Sequence, residues 1–168
     1  MSKRYKIFFP VVFLVVTLDQ LTKSYVTSRM LLHESFAVVD GFLNLTYIRN
    51  PGAAFGFLSH ASPVLRFVFF TAITVLAIGL IFYYVTKSEK AEPRLLFALA
   101  LIFGGAIGNL IDRLRFGEVV DFIDAYFRTY HWPAFNLADS AISLGAFFIL
   151  LEMSEREKKK EASQKSKG

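Results

Sequence analysis

The sequence contains no cysteine. That absence excludes a disulfide framework, a thiolate nucleophile and a thiolate metal site, and it leaves the chain no residue on which to become a lipoprotein itself. The redox state of its compartment therefore cannot be read. Charge is also scarce: Asp, Glu, Lys and Arg make up 20% of the residues, against 54% hydrophobic, 19 phenylalanines and a mean hydropathy of +0.45. Ordinary soluble domains carry a smaller apolar share, so the balance indicates a membrane protein. Two hydrolytic signatures are missing as well. His33 opens HES, but Ala37 stands where HExxH needs its second histidine, which disfavours a zinc protease. No GxSxG occurs, and His33, His60 and His131 have no evident serine partner.

What is present is a series of four apolar runs, approximately Tyr5–Val26, Pro63–Val85, Leu95–Leu114 and Leu137–Met153. Each approaches the roughly 20 residues a helix needs to cross hydrocarbon. Basic residues precede the first run as in a signal peptide, but YVTSRM offers no small-residue cleavage pattern, so a retained helix is expected. The expected organisation is one membrane domain over residues 1–153, with outer loops 27–62 and 115–136. The basic segment 154–168 is expected to be a disordered cytoplasmic tail.

Twelve of the 19 basic residues fall in three segments: Lys3, Arg4 and Lys6; Lys87, Lys90 and Arg94; Arg156, Lys158, Lys159, Lys160, Lys165 and Lys167. The other two loops hold Arg29, Arg49, Arg115 and Arg128. Basic residues concentrate in short cytoplasmic loops, so both termini are expected in the cytoplasm. This asymmetry, with attraction of the tail to anionic lipid, accounts for the net charge of +5 better than nucleic acid does.

In the first outer loop, Asp40 and Gly41 separate two apolar runs, FAVV and FLNL, which predicts a hairpin with a type I′ turn and a small sheet on the outer membrane face. The second loop carries Phe122, Tyr126, Phe127 and Tyr130 at helical spacing, opposed by Asp124, Arg128 and His131, and ends in Trp132 and Pro133. That spacing predicts a short interfacial helix with its aromatic side among the headgroups, either as a plain anchor or as a shaper of substrate.

Polar residues within membrane helices are rare and usually face the bundle or a watery cavity. In LDQLTK, Asp19 and Lys23 stand four apart and share a helix face, placed for an ion pair that could be purely structural. In GGAIGNLIDR, Gly105, Gly108, Asn109 and Asp112 fall in one sector at about 100° per residue, and Gly104 with Gly108 makes a GxxxG pair. Packing explains the glycines. It does not explain Asn109, Asp112 and Arg113 ending the same helix at the interface, where they can brace a site.

Asp139, in PAFNLADSAI, opens the last span, and Asp121, in VVDF, lies one loop upstream. Asp139 has a plain reading, since Asn136 as N-cap with an acid three residues on resembles a capping box, and the helix dipole weakly favours negative charge there. Asp121 can be read as a solvated loop acid, with Asp124 nearby as a decoy. Topology nonetheless brings Asp121 and Asp139 to one interface beneath the outer sheet. Two adjacent carboxyls do not both ionise easily; sharing a proton, one can activate water while the other donates to the carbonyl under attack. Such a pair titrates as a unit. This chemistry needs neither metal nor cofactor.

LDQLTK, RNPGAAFGF, GGAIGNLIDRLRFGEVVDF and PAFNLADSAI, in this order across four spans, closely resemble the bacterial type II signal peptidases, the lipoprotein signal peptidases. The resemblance covers nearly the whole chain and implies an intramembrane aspartic endopeptidase of the bacterial inner membrane. Such an enzyme removes signal peptides from prolipoproteins, cutting before a cysteine that already carries diacylglycerol. The resemblance implies a catalytic pair of Asp121 and Asp139, and supporting or substrate-binding roles for Asp19, Lys23, Asn50, Gly52, Asn109, Asp112, Arg113 and Asn136. It also implies the substrate as partner, contact with membrane lipid, and inhibitors of the globomycin kind. Pro51 and Gly52 give the Asn50 loop a turn signal, and the loop is expected to fold over bound peptide.

The fold expected overall is mainly α: a polytopic membrane protein with four transmembrane helices, a small outer-face β-sheet and a short interfacial helix. An ion-coupled transporter or channel is the alternative from another class. Its disadvantage is that the acids cluster toward one face and no repeated halves are visible. A purely structural scaffold leaves Asp121, Asp139 and Arg113 together without a purpose.

Overall fold

The computed structural model describes residues 3–52, 58, 60–88 and 92–165. Four helices, α1 (Lys3–Arg29), α2 (Pro63–Lys87), α3 (Pro93–Phe116) and α4 (Leu137–Lys165), are joined by strands β1 (Ser35–Val39), β2 (Leu43–Asn50), β3 (Val119–Phe127) and β4 (Tyr130–His131). All four helices are long and apolar enough to cross a membrane. The chain is a multi-pass membrane protein.

Local sequence sets the helix ends. Pro63 and Pro93 occupy first-turn positions where a missing N–H is harmless, and the Ser62 side chain accepts from Leu65 N at 3.2 Å. Gly117 closes α3 in the left-handed region, at φ 77°, and its N–H donates to Arg113 O at 2.8 Å.

Helix α3 is the centre of the bundle, and small residues let its neighbours approach. A Cβ on Gly104 would lie 2.9 Å from Val15 Cβ of α1; one on Gly105 would strike the Ala138 carbonyl of α4; one on Gly145 would lie 2.6 Å from the Ala98 carbonyl of α3. Lipid is as apolar as leucine, so close packing and polar contacts hold such helices together. At the end of the bundle remote from the sheet, Phe8, Val12, Val85, Leu96, Ala100 and Phe103 form one packed cluster. At the other end, Val26 of α1 and Met30 just after it pack against Tyr47, Val120 and Phe122 of the strands and seat the sheet on the helices.

The sheet is antiparallel in the order β1-β2-β3-β4. Its first hairpin is present, but the type I′ turn is not: Gly41 has positive φ (78°) and Asp40 does not, while Phe42 N donates to Val39 O at 3.1 Å. The register shift between Ala37 and Val39 takes up the geometric difference.

Two further expectations are corrected. No interfacial helix spans Phe122, Tyr126, Phe127 and Tyr130; these residues lie on β3 and β4, because β2 offers a partner edge that pairs with β3 from Val119 to Ala125. The helical spacing of the aromatics was outweighed by VVDFIDAYF, a β-branched and aromatic run suited to a strand. Nor is the segment after Met153 without structure. Helix α4 continues to Lys165, in a run rich in good helix formers that contains an i,i+4 pair, Arg156 Nε to Glu152 Oε1 at 2.9 Å.

Candidate active site

The C-terminal ends of α1 and α3, the start of α4 and strand β3 meet beneath the sheet. Asp121 lies on β3 and not on a helix end. It is buried, at 1% exposure. Its Oδ1 accepts from Asn136 Nδ2 at 2.7 Å, and its Oδ2 accepts from Asn50 Nδ2 at 2.8 Å. Asn50 reaches it diagonally across the β2–β3 ladder, where Asn50 pairs with Val119 and Ile48 with Asp121. Asp124, three residues on, points to the opposite face of the strand. It binds Asn44 Nδ2 at 2.9 Å and His131 Nδ1 at 2.8 Å, away from the site.

Asp139 sits in the first turn of α4, and the capping box is real: its N–H donates to Asn136 Oδ1 at 2.9 Å, and its Oδ2 accepts from Asn136 N at 3.3 Å. Its Oδ1 accepts from Asn109 Nδ2 at 2.7 Å. Capping therefore occupies only part of this carboxyl. The chain arriving at α4 bridges back to β3, with Ile123 N donating to Phe135 O at 2.8 Å and Phe135 N to Ile123 O at 3.0 Å. That bridge delivers Asn136 between the two acids. One fully buried amide side chain thus touches Asp121 and caps the helix that bears Asp139.

Burial, and next the charge of Asp139, push the Asp121 carboxyl up to about 7, against the opposing hydrogen bonds from Asn50 and Asn136 and the charge of Lys23. The proton balance of the cluster is consistent with this. Four carboxyls, Asp19, Asp112, Asp121 and Asp139, share the region with two cations, Lys23 and Arg113.

The ion pair expected in α1 is present, with Lys23 Nζ 2.9 Å from Asp19 Oδ2. Lys23 also reaches Asp112 Oδ2 and Asn109 Oδ1, each at 2.9 Å, so it joins α1 to α3. Arg113 lies on the same side, its Nη1 3.4 Å from Asn109 O and its guanidinium 5.8 Å from the centre of the Phe70 ring. Gly52 has φ +95°, its N–H donates to Asn50 Oδ1 at 2.8 Å, and a Cβ there would strike Phe70. The turn at Asn50 is thus fixed by a glycine-only conformation and by close approach. Residues 53–57, part of the segment expected to cover a bound peptide, lie outside the described residues.

Gln20 was not singled out in the sequence, yet its Nε2 donates to Asp112 Oδ1 at 3.1 Å, Asp19 Oδ2 at 3.2 Å and Gly108 O at 3.2 Å. An amide within an apolar span was the signal available for it.

The chain is similar to known proteins in sequence and in fold. The family model described as signal peptidase (SPase) II matches residues 11–155. The lipoprotein signal peptidase of Syntrophus aciditrophicus is 54% identical over 147 residues, covering 88% of this chain and 91% of that protein. The lipoprotein signal peptidase of Geobacter sulfurreducens is 47% identical over 160 residues, covering 95% and 99%. A solved bacterial membrane enzyme, determined by the in meso method at 2.3 Å resolution, superposes with a TM-score of 0.78 at 37% identity, over 88% of this chain and 87% of that one. The chain belongs to the signal peptidase II family, that of the lipoprotein signal peptidases.

Proposed function

We propose that this chain is an aspartic endopeptidase that removes signal peptides from prolipoproteins, with Asp121 and Asp139 as its catalytic pair. The observation that carries the reading is the geometry of Asn136, which holds two carboxyls from different elements beside one another and leaves Asp139 only partly buried. Asp121 carries the pair's proton below about pH 7 and donates it to the scissile carbonyl oxygen. Asp139 takes a proton from water as the water oxygen bonds to the carbonyl carbon. The gem-diol intermediate then collapses: the amide nitrogen takes the proton held by Asp139 as the C–N bond breaks, and Asp121 recovers a proton from one gem-diol hydroxyl, giving a carboxyl-ended signal peptide, a free amine on the mature protein and a pair restored to its starting state.

The substrate is a prolipoprotein whose cysteine carries diacylglycerol. Acyl chains held in the bilayer keep the scissile bond near the surface, at the depth where helix ends and sheet meet. The ends of α1 and α3 and the starts of α2 and α4 share the sheet's end of the bundle. The opposite end carries Arg4, Lys87, Arg94 and Arg156, so it faces the cytoplasm and the sheet faces outward from the inner membrane. Asn50, Asn109 and Asn136 hold the acids, and Arg113 offers positive charge to the intermediate or to the substrate.

Asp121→Asn and Asp139→Asn are each expected to yield inserted, folded protein with less than about 1% of the cleavage rate, since each removes a general acid–base group. A gel mobility shift of a diacylglyceryl-modified prolipoprotein, in detergent where no gradient exists, reads the result. Normal cutting by either variant refutes the pair.

A further inference from the structure

Three buried ionisable side chains beneath the acids take no part in the proton transfers: Asp19, Lys23 and Asp112, at 0%, 3% and 1% exposure. Asp112 Oδ2 accepts the backbone N–H of Val120 at 3.0 Å, and Asp19 Oδ1 accepts that of Ala138 at 3.0 Å. Val120 and Ala138 are the residues immediately before Asp121 and Asp139. Each carboxylate therefore grips the chain one residue ahead of one member of the pair.

The two grips share one counterion. The Lys23 ammonium has three donors, and they are matched by Asp19 Oδ2, Asp112 Oδ2 and Asn109 Oδ1, each at 2.9 Å. Asn109 in turn donates to Asp139 Oδ1 at 2.7 Å. Gln20 clips the two carboxylates together from the other side. Buried ion pairs are poor stabilisers compared with apolar filling, whereas removing one partner leaves a buried charge uncompensated. A network so placed serves geometry better than it serves stability.

We propose that Asp19, Lys23 and Asp112 form one positioning unit that sets the separation of the catalytic carboxyls by holding the peptide N–H one residue before each. None of the three touches substrate. This rests on the reading of Asp121 and Asp139 as the catalytic pair. The unit links α1, α3, β3 and α4 through a single ammonium, so loss of any member loosens both acids at once.

The test uses the full chain in detergent, with Asp19→Asn, Asp112→Asn, the double variant and Lys23→Met. Cleavage of a diacylglyceryl prolipoprotein is followed as kcat and KM per folded molecule, beside Tm. Each Asn variant is expected to lower kcat about 100-fold, with KM within about threefold, as misplacement by about 1 Å would. The double variant should fall no more than about threefold below the worse single variant, because the unit is lost only once. In Lys23→Met the alkaline limb of the pH profile should move upward, since the Lys23 charge favours ionised Asp121.

Normal kcat in the Asn variants whatever their Tm, losses that multiply as for independent sites, or an unmoved alkaline limb in Lys23→Met overturns the proposal. Gln20→Leu keeps every charge and covers the case of variants that do not fold. It should lower kcat about tenfold, and an unchanged kcat counts against the unit. Activity in Asp121→Asn would instead refute the pair itself, so the two failures are distinct.

Discussion

Replacing Gly105 by alanine should damage catalysis more than it damages the fold. A Cβ at Gly105 strikes the carbonyl oxygen of Ala138 and lies 2.7 Å from Ile142 Cγ1, where ordinary contact begins at 3.4 Å. The first obstacle is backbone and cannot rotate aside, so the start of α4 must retreat by about 1 Å, with a stability loss of about 1–3 kcal/mol. Ala138 precedes Asp139, and the retreat draws that carboxyl away from Asn109 of α3 and from Asp121 of β3. A shift of about 1 Å at the reacting groups corresponds to about 100-fold in kcat. Gly145→Ala is the matched control: its Cβ would meet the Ala98 carbonyl at 2.6 Å and Ile102 Cγ1 at 2.7 Å. That is a similar overlap about 10.5 Å further along the helix. It should lower Tm comparably and kcat by less than about fivefold. Gly79→Ala, with nothing within 4 Å of the added atom, should change neither. Thermal unfolding and the prolipoprotein mobility shift, on the same detergent preparations, separate the two effects. Equal losses of kcat in Gly105→Ala and Gly145→Ala would refute the link between α4 placement and the acid.

The cleavage rate should decline as pH rises through about 7, because Asp121 then loses the proton it donates. The stability term has the same sign: a raised carboxyl favours the fold fully below its ordinary value of 3.8, and that contribution is lost as pH rises through about 7. Asn50→Ala removes a hydrogen bond that favours the ionised form, so its alkaline limb should move to higher pH, read from initial rates across a buffer series. Asp124→Asn should keep full activity and lower stability by about 1 kcal/mol, since it alters only contacts with Asn44 and His131 on the far face of β3.

Sequence reasoning reached furthest where the relevant spacing was local. Asp19 and Lys23 are one helical turn apart, and Asn136 and Asp139 make a cap within four residues, so both pairs were legible before any fold was known. The bond from Lys23 to Asp112 spans two helices, and nothing in either motif fixes their relative rotation. Asp121 lies on a strand where the sequence leads one to expect a loop, because its partner edge, Ile48 to Asn50, comes from a hairpin some 70 residues earlier. The aromatics from Phe122 to Tyr130 satisfied a helical count by accident of spacing; long-range pairing with β2 decided their conformation. In the segment after Met153, high charge was read as disorder, although Glu, Lys and Ala also favour a helix.

Asn136 starts a helix and donates to an acid with the same side chain. Thermal hardening of the α4 entrance by exchange to Ser or Thr, sound practice on other helices, would here delete a donor to Asp121, and exchange to Asp would set a third negative group beside the pair. Robustness at that helix start and proton affinity at the dyad turn on one knob, so selection for heat tolerance would drag the enzyme's working pH along with it.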